Sequence, residues 1–479
     1  MTSISQRPKR VLFVSYLFPP TGGVGVHRVS KFVKYLPQSG WNSSVLTVSN
    51  ASVPLQDQSL LRDIPYGTLI RRARTYEPSY AVKAAVGGGS RNSNGSASGV
   101  KGRLFGLVKG AARRAANLVF QPDSQILWHP QAFKAGKRLL NDAPHDAIIA
   151  TGPPFSSFLL GAKLSRASGL PLILDYRDEW DISNAYWENK GQGRFANSMQ
   201  TRQQASVVRA ASHILATSPS SAAAIEAFAR QHGSRAPVSY IYNGFDPDDY
   251  SAAPPLGAAR LTDPRAKFRL AFIGTLWNLN SIQPVIDALL KISEEQPILA
   301  SSLELFLAGR RTADQEKQLD RLEHSPIAVV RVPFVSHDEA IELMQTANAL
   351  LMLNSDLPKT QRIINAKTFE YMAARRPIFV VAPQGDVWDL VRDLPGTTLC
   401  RPNDVPDIAS KLLLMLEMHR CGERFTDAHW DISRFQRDRL ATQLADVLEQ
   451  TVAANPPALD SEMKQPGCGK GEDCFHDSV

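Results

Sequence analysis

Short apolar runs that alternate with helical segments are the feature that most constrains the fold of this chain. Residues 10–17 (RVLFVSYL) form the first run, which ends in a glycine-rich turn, FPPTGGVGVHR, and leads into a helical pattern over 29–36. Residues 41–48 supply the next strand. A strand, a glycine-rich loop, a helix and a second strand in this order are the opening of a Rossmann-like half, whose strands are parallel.

The alternation occurs twice along the chain. In the first series, the strand-like runs resume at 147–152, 171–180, 213–218 and 238–246, with a helix over 156–168. In the second series, they lie at 268–276, 303–309, 328–335, 349–354 and 377–382. Each half therefore has about five or six strands. The sequence predicts an α/β fold with two Rossmann-like, doubly wound parallel-sheet domains that face each other across a cleft.

These patterns also predict the domain boundaries. The N-terminal domain covers 1–250 and includes an irregular basic insertion at 51–145, and the C-terminal domain covers 265–430. A last helix at 431–453 is expected to pack back on the N-terminal domain, and 454–479 is predicted to be a disordered tail.

The insertion contains a low-complexity stretch, GGGSRNSNGSASG at 87–99, which is typical of a linker. A segment at 100–120 follows, with apolar residues on one helical face and Lys and Arg elsewhere. Two interpretations stay open for it. The segment is either an amphipathic helix that lies on an anionic membrane, or a helix that packs on its own domain and exposes a basic face to solvent.

Composition narrows the classes of function. The 479 residues are 43% hydrophobic and 21% charged, as in folded globular proteins. The net charge of +8 suits phosphate-bearing substrates or anionic lipid, and nucleic acid is disfavoured because no recognition motif accompanies it. The four cysteines are too few to staple the chain, which favours a cytoplasmic setting, and they fit no zinc pattern. Apolar runs fall short of the ~18–20 residues of a membrane span, which predicts a soluble or peripheral protein.

A helix near the end of the second series carries the strongest chemical signal. In the stretch 365–377 (NAKTFEYMAARRP), Lys367 and Glu370 lie three residues apart on one face. Such a helix start presents backbone N–H groups, an ammonium group and a carboxylate to an anionic, hydroxylated ligand, such as a nucleotide-sugar. The alternative is a solvated ion pair on the helix surface.

The glycine cluster after the first strand is a weaker signal. Gly22, Gly23 and Gly25 lack the full G-x-G-x-x-G spacing, so a dinucleotide site is not indicated. The chain also lacks a G-x-x-x-x-G-K-[ST] loop, which argues against an ATPase. A tight turn that needs positive φ and a close approach to phosphate explain the glycines equally well.

Six motifs in order resemble those of a known family, the GT-B glycosyltransferases, and in particular the family-4-like group that makes bacterial surface polysaccharides. The motifs are FPPTGGVGVHR, TGPPFSS with LDYRDEW, YNGFD, FIGTLW, LAGRR and AKTFEYMAARRP. The resemblance covers most of 10–450 except the insertion. It implies a retaining transfer from a nucleotide-sugar with neither an obligatory metal nor another cofactor. The donor lies in the C-terminal half, and the acceptor approaches from the N-terminal half.

The resemblance also implies roles for individual residues. Lys367 neutralises the departing diphosphate, and Glu370 holds donor hydroxyls. The glycines of the first loop and Gly274 let the backbone approach the phosphate and the sugar. Further donor-binding residues are expected at Val332, Phe334 and Phe369, of which the first two line the base pocket.

The chain departs from the family in two places. The position eight before Glu370, where the family has another carboxylate, is Arg362. The basic residues that the family has after the FIGTL strand are missing. We therefore expect Arg310, Arg311 or Arg362 to supply the lost positive charge.

Two further side chains are candidates for catalysis. Asp178 follows a predicted strand and is placed to orient the acceptor hydroxyl or accept its proton, although pairing with Arg177 or capping of the next helix explains it equally. His27 is placed to contact phosphate or to act near the sugar, and a packed or surface histidine is the alternative. The turn at 243–244 is predicted to lie at the domain hinge, and the DPDD run after it is not interpreted as a metal site.

Together these features predict a hexosyltransferase-type enzyme that elongates a polysaccharide or a lipid-linked oligosaccharide, in the cytoplasm or peripherally on the cytoplasmic face of the inner membrane. Two other functions stay open. One is a GT-B sugar-nucleotide epimerase, for which the acceptor-side features have no purpose. The other is a non-catalytic protein that binds nucleotide-sugars, which the missing carboxylate and basic residues favour.

Overall fold

The computed structural model describes residues 7–52, 56–77, 120–186, 193–250, 261, 263, 266–423 and 430–456. The stretch predicted as a linker at 87–99, most of the basic segment at 100–120 and most of the tail at 454–479 lie outside these residues. Within the described part of the chain, no helix has both the length and the hydropathy needed to cross a membrane.

The N-terminal domain is built on a seven-stranded parallel sheet with the order β3-β2-β1-β4-β5-β6-β7. Its strands are β1 Lys9–Val14, β2 Trp41–Val48, β3 Leu69–Ala73, β4 Ala147–Gly152, β5 Leu172–Tyr176, β6 His213–Ala216 and β7 Val238–Tyr240. The helices described here are α1 Val24–Tyr35, α2 His129–Asp142, α3 Ser156–Ser168, α4 Trp180–Tyr186, α5 Arg194–Ala210 and α6 Pro219–Gln231.

The C-terminal domain repeats this plan with a six-stranded parallel sheet in the order β10-β9-β8-β11-β12-β13. Its strands are β8 Phe268–Ile273, β9 Leu303–Ala308, β10 Ala328–Val332, β11 Ala349–Leu353, β12 Ile378–Val381 and β13 Thr398–Cys400. The helices are α7 Gln283–Glu295, α8 Pro297–Ala300, α9 Ala313–Asp320, α10 His337–Gln345, α11 Lys367–Ala373, α12 Asp386–Val391, α13 Val405–Arg420 and α14 Arg437–Ala454. The predicted fold class, two parallel α/β domains, is confirmed.

The first strand shows why the apolar runs form central strands. Side chains alternate between the two faces of a sheet. Leu12 and Val14 pack in one core cluster, and Val11 and Phe13 pack in the other. All four are at most 1% exposed, and full burial of such side chains stabilises the fold by about 1.5–3 kcal/mol each.

The described part of the insertion contains regular structure that the sequence did not indicate. Residues 51–145 were expected to be irregular, but β3 and α2 lie within them, so the first sheet has seven strands rather than five or six. The β3 strand lies at the edge of the sheet and exposes Arg71 and Arg72, so it lacks the apolar pattern of a central strand. Arg71 also forms a 2.8 Å ion pair with Asp142 at the end of α2.

The C-terminal helix returns to the N-terminal domain. Leu440, Leu444 and Leu448 of α14 belong to the same core cluster as Val11 and Phe13 of β1. The start of α14 is bound to the segment between the domains, since the Phe245 amide donates to the Phe435 carbonyl at 3.0 Å and the Arg437 amide donates to the Phe245 carbonyl at 2.9 Å. These contacts fix where α14 begins.

Gly244 makes this approach sterically allowed. Its φ is +66°, and an added Cβ would lie 2.3 Å from Leu440 Cδ1 and 2.4 Å from the Phe435 carbonyl oxygen. Only glycine tolerates both the left-handed backbone and the close contact. The YNGFD motif therefore serves the junction between the interdomain segment and α14.

Candidate functional site

The candidate site lies where the carboxyl ends of the two sheets come together, which is where doubly wound folds bind ligands. Contacts between the domains include two ion pairs. Arg62 of the N-terminal domain pairs with Asp338 of α10 at 2.8 Å, and Arg362 of the C-terminal domain pairs with Glu179, after β5, at 3.0 Å. The loops after β1, β5 and β8 and the start of α11 belong to these edges.

Lys367 lies at the start of α11 and reaches the loop after β8. Its Nζ is 3.6 Å from the centroid of the Phe272 ring, and an added Cβ on Gly274 would lie 3.5 Å from it. The structure thus brings together two residues that the sequence assigned to the donor. Within the described residues Lys367 makes no ion pair, and burial lowers the pKa of its ammonium group to about 7, although the nearby Glu370 charge raises it.

Glu370 points into a narrow pocket at the domain interface. The pocket is lined by His27, Lys31, Gly244, Phe245, Asp246, Asp249, Tyr250, His337, Glu370 and Arg437. Burial raises the pKa of Glu370, against the opposing charges of His337 and Arg437. Neither a hydrogen bond nor an ion pair to its carboxylate is present in the described part of the chain. The alternative of a solvated Lys367–Glu370 ion pair therefore does not describe this helix.

Two histidines from different domains meet in this pocket. The rings of His27, on α1, and His337, at the start of α10, have centroids 4.8 Å apart. Burial, with the nearby charges of His337 and Arg437, lowers the pKa of His27 to about 3, so its imidazole is neutral at neutral pH. His27 thus lies beside Glu370, and it is packed against a second histidine that the sequence did not indicate.

His337 is bound to the segment between the domains, because its Nε2 lies 3.0 Å from Asp249 Oδ2. Burial opposes its charged form, but the hydrogen bond that its ring donates to Asp249 and the charges of Glu370 and Asp249 outweigh burial and raise its pKa. The carboxylate of Asp249 has its pKa held well below the usual range, because His337 and Lys31 outweigh its own burial. His337 and Asp249 therefore form a pair next to Glu370 in which the charged form of the imidazole is favoured.

The aspartates of the DPDD run form ion pairs with basic side chains. Lys31 Nζ lies 2.5 Å from Asp246 Oδ2 and 3.1 Å from Asp249 Oδ1, and Lys34 Nζ lies 2.8 Å from Asp246 Oδ2 and 2.8 Å from Asp248 Oδ2. The hydroxyl group of Tyr35 donates to Asp246 at 2.6 Å. These contacts tie α1 to the interdomain segment, which gives the acidic run a structural role.

The glycine-rich loop is held by Arg177, which the sequence did not single out for this purpose. Its guanidinium group donates to the carbonyl groups of Gly25 and Pro153. An added Cβ on Gly25 would lie 2.6 Å from Arg177 Nη1, so Gly25 is explained by this close approach. Gly23 has a φ of +103° just before α1, and Gly22 is buried in the same loop.

Asp178 lies next to Arg177 after β5, as predicted. Its carboxylate forms neither a hydrogen bond nor an ion pair within the described residues, and burial raises its pKa despite the nearby Arg177 charge. The Arg177 guanidinium is bound to carbonyl groups instead. An unpaired carboxylate at this edge suits the role predicted for the acceptor hydroxyl, which stays a prediction.

Arg362 is engaged across the domain interface. Its Nη2 lies 3.0 Å from Glu179 Oε2, and the hydroxyl group of Ser221 donates to Glu179 Oε1 at 2.7 Å. Burial raises the pKa of Glu179 to about 7, against the hydrogen bond from Ser221 and the charge of Arg362. The guanidinium that was expected to replace a donor-binding cation is therefore already paired with a carboxylate of the other domain.

The remaining donor-binding candidates differ in where the structure places them. Phe334 is 48% exposed beyond the end of β10, Val332 is half-buried in that strand, and Arg310 is exposed after β9. Arg311 already donates to the carbonyl groups of Gly309 and Val332, at 2.8 and 2.9 Å, and pairs with Glu316. Its guanidinium is thus committed to holding the ends of β9 and β10.

The prediction that Phe369 contacts the donor does not fit the structure. Its side chain is fully buried, and its ring packs against Tyr242 and Phe435, with centroids 5.6 and 5.3 Å away. Neighbouring helical residues point about 100° apart, so a residue next to Glu370 faces the core when Glu370 faces the pocket. Phe369 therefore supports the helix from within and does not line the cleft.

Comparisons with known proteins agree with this architecture. Residues 22–244 match the family model described as "Glycosyl transferase 4-like domain", and residues 267–418 match that of "Glycosyl transferases group 1". A search of curated protein sequences finds no significant match.

Solved structures show the same fold at low sequence identity. Sucrose-phosphate synthase from Thermosynechococcus elongatus is 14% identical, with a TM-score of 0.59 over 93% of this chain and 100% of that one. HepE from Anabaena, in complex with UDP-glucose, is 15% identical, with a TM-score of 0.54 over 94% and 100%. WaaG, a glycosyltransferase involved in lipopolysaccharide biosynthesis, is 12% identical, with a TM-score of 0.50 over 93% and 99%. With both domain models matched in order on two parallel α/β domains, this chain belongs to the GT-B glycosyltransferases.

Proposed function

We propose that this protein transfers a hexosyl group from a nucleotide-sugar to a polysaccharide or lipid-linked oligosaccharide, with retention of configuration and without an obligatory metal. The main support for the proposal is that two side chains of one helical turn, Lys367 and Glu370, point to different parts of the cleft. The Lys367 ammonium group lies beside Gly274, and the Glu370 carboxylate lies in the interface pocket without a partner among the described residues.

This arrangement suits both ends of a nucleotide-sugar. In the reaction the bond between the anomeric carbon and the phosphate oxygen breaks, and negative charge develops on the diphosphate. Burial lowers the pKa of the Lys367 ammonium group, and a diphosphate next to it would raise that pKa again. The lysine would then be charged when negative charge develops on the departing diphosphate. Glu370 accepts hydrogen bonds from hydroxyl groups, which a partnered carboxylate does less readily.

The N-terminal domain is proposed to provide the acceptor side. Asp178 lies at the carboxyl end of β5 and is placed to orient the attacking hydroxyl. Neutral His27 reaches the pocket from α1 and is able to accept or donate a hydrogen bond there. WaaG, a glycosyltransferase involved in lipopolysaccharide biosynthesis, supports a polymer or lipid-linked acceptor only by analogy of fold. The placement on the cytoplasmic face of the inner membrane is part of the proposal.

A test is to incubate the purified chain with UDP-, GDP- and ADP-linked hexoses and a lipid-linked oligosaccharide mixture, and to follow nucleotide release and the anomeric configuration of the product. Release that depends on acceptor, with the donor configuration kept, supports the proposal. Epimerised donor with no release of nucleotide contradicts it. Binding without transfer or hydrolysis contradicts it too, and favours the non-catalytic alternative that Arg362 motivates, since it replaces a carboxylate and pairs with Glu179.

A further inference from the structure

Arg437 is a buried cation that has no partner among the residues that the structure describes. It is the first residue of α14 and is 5% exposed. Its guanidinium group makes neither a hydrogen bond nor an ion pair with any described residue, and its Nη1 is shielded from solvent. Leaving a buried polar group unpaired costs about 1–3 kcal/mol, and more for a charged one. Burial lowers its pKa to about 10, so it remains charged at neutral pH.

The fold does not need a guanidinium at this position. The backbone places Arg437, because its amide donates to the Phe245 carbonyl at 2.9 Å and the Phe245 amide donates to the Phe435 carbonyl at 3.0 Å. Any residue that can begin a helix makes the same contacts. The side chain is therefore free to serve a purpose other than folding.

The pocket that Arg437 lines is divided into two parts. Lys31, Asp249 and His337 are bound to one another or to neighbouring carboxylates. The Glu370 carboxylate and the His27 ring, by contrast, make no hydrogen bonds within the described residues. The unpaired part of the pocket therefore combines a strong hydrogen-bond donor, Arg437, with a strong hydrogen-bond acceptor, Glu370.

A donor and an acceptor of this kind together match a hydroxyl group. The hydroxyl oxygen accepts from the guanidinium, and its hydrogen is donated to the carboxylate. The charges of Arg437 and Glu370 balance, and Asp246 and Asp249 are already paired with Lys31 and His337. This part of the pocket therefore suits a neutral hydroxyl group rather than a further charged group.

We propose that Arg437 is a substrate-binding residue, which holds a hydroxyl group of a sugar ring of the nucleotide-sugar together with Glu370. The inference rests on the proposed function and extends the binding site to the C-terminal helix, which packs on the N-terminal domain. The ring is either the ribose of the nucleotide or the sugar to be transferred. Both have the same chemistry, and UDP and UDP-glucose distinguish them.

The test compares full-length wild type with Arg437→Met, which keeps most of the volume and removes the charge. Thermal unfolding is measured without ligand, and affinity for UDP and UDP-glucose is measured by calorimetry. The Tm of the variant is expected to stay the same or rise, because an unpaired buried charge is removed. Its affinity for UDP-glucose is expected to fall by about 10- to 100-fold, from the loss of a charged hydrogen bond. An equal loss for UDP identifies the ribose, and a loss only for UDP-glucose identifies the transferred sugar.

Arg439→Met is the matched control, since Arg439 is exposed two residues further along the same helix. It is expected to leave both Tm and affinity unchanged. A Tm that falls by several degrees in Arg437→Met would show that the guanidinium supports the fold, and would overturn the inference. Unchanged affinity for both ligands would overturn it as well. If wild type binds no UDP-, GDP- or ADP-linked sugar, the proposed function fails and the inference fails with it. Wild-type binding with unchanged affinity in Arg437→Met overturns the inference alone and leaves the proposed function standing.

Discussion

The rings of His27 and His337 pack against each other at the domain interface, with centroids 4.8 Å apart and planes tilted by 38°, although the two residues are separated by most of the chain. Helix α1 contributes the first and helix α10 the second. Because His337 also contacts Asp249 of the interdomain segment, the three parts of the molecule meet at one side chain. Glu370 lines the same pocket, so the protonation of His337 changes the electrostatic environment of the Glu370 carboxylate.

His337 predicts a dependence of stability on pH. Its pKa is raised above 6.5 in the folded protein, so its contribution is fully present below about pH 6.5 and is lost as the pH rises through the folded pKa. The charged groups that face it are Lys31, Asp249 and Glu370. We expect His337→Gln to remove about 1–2 kcal/mol of unfolding free energy at pH 6 and less at pH 9. Urea unfolding at both pH values measures this.

His213 provides the control for that experiment. Its Nε2 lies 2.8 Å from the hydroxyl group of Ser239 within the N-terminal sheet, and burial lowers its pKa. A lowered histidine pKa contributes no pH dependence above about pH 6.5. His213→Gln is therefore expected to shift stability equally at pH 7 and pH 9. A His337→Gln variant whose loss is the same at pH 6 and pH 9 would contradict the charged pair.

A side chain at position 244 is expected to clash with the start of α14 and to destabilise the protein. Gly244→Ala combines a positive φ with an added Cβ 2.3 Å from Leu440 Cδ1, and we expect a loss of about 2–4 kcal/mol. Gly169→Ala is the matched control, because Gly169 has a φ of +75° but nothing within 4 Å of an added Cβ. It is expected to lose only about 1 kcal/mol. Equal losses in chemical denaturation would show that backbone strain alone accounts for Gly244.

Loss of the Arg362–Glu179 ion pair is expected to loosen the contact between the two domains. The Ser220 amide donates to Asp386 Oδ2 of the C-terminal domain at 3.1 Å, so its hydrogen exchange reports this interface. Arg362→Gln removes the nearby pair with Glu179 and is expected to speed exchange at Ser220 by about tenfold. Lys359→Gln removes a pair with Asp181 in which both side chains are about half exposed, and should change exchange little. Equal exchange rates in wild type and Arg362→Gln would count against Arg362 as an interdomain contact.

The repeated alternation of strands and helices made most of the fold predictable. Strand β4 and helix α3 begin and end where the pattern places them, because continuous apolar runs suit strands buried on both faces. Strand β3 was missed because an edge strand with two exposed arginines carries no such run. The order of the motifs predicted that Lys367 and Gly274 both belong to the donor site, and the structure brings them together.

The remainder of the site could not be predicted because it depends on contacts between distant residues. Nothing in the local sequence of Arg437, His337 or Glu179 shows that each faces a group of another element. Phe369 was expected to bind the donor, but it is buried in the core, because adjacent helical residues face different directions and Glu370 faces the pocket. Arg362 was expected to be one of three arginines that could replace a missing donor-binding charge, and its pair with Glu179 of the other domain was not foreseen.

Glu370 predicts a loss of activity without a loss of stability. Glu370→Gln keeps the shape of the side chain but removes the charged acceptor, and we expect kcat/KM to fall by about 100-fold. Tm should change little, since the carboxylate has no partner among the described residues. Glu323→Gln, at an exposed position of the same domain, is the control and should behave as wild type. Near-normal turnover of a folded Glu370→Gln protein would remove the role assigned to Glu370.

The most direct test of the account is nucleotide-sugar binding at the C-terminal domain, measured as the change in Tm with UDP-, GDP-, ADP- and dTDP-linked sugars. A ligand that binds the folded state raises Tm by mass action. Wild type and Lys291→Met, a change at a half-exposed lysine that pairs only with its helix neighbour Glu295 among the described residues, are predicted to respond to the same donor. Lys367→Met, which keeps the packing on Phe272 but removes the ammonium group, is predicted to lose the response. An equal shift in Lys367→Met, or no shift in wild type with any of the four donors, would contradict the account.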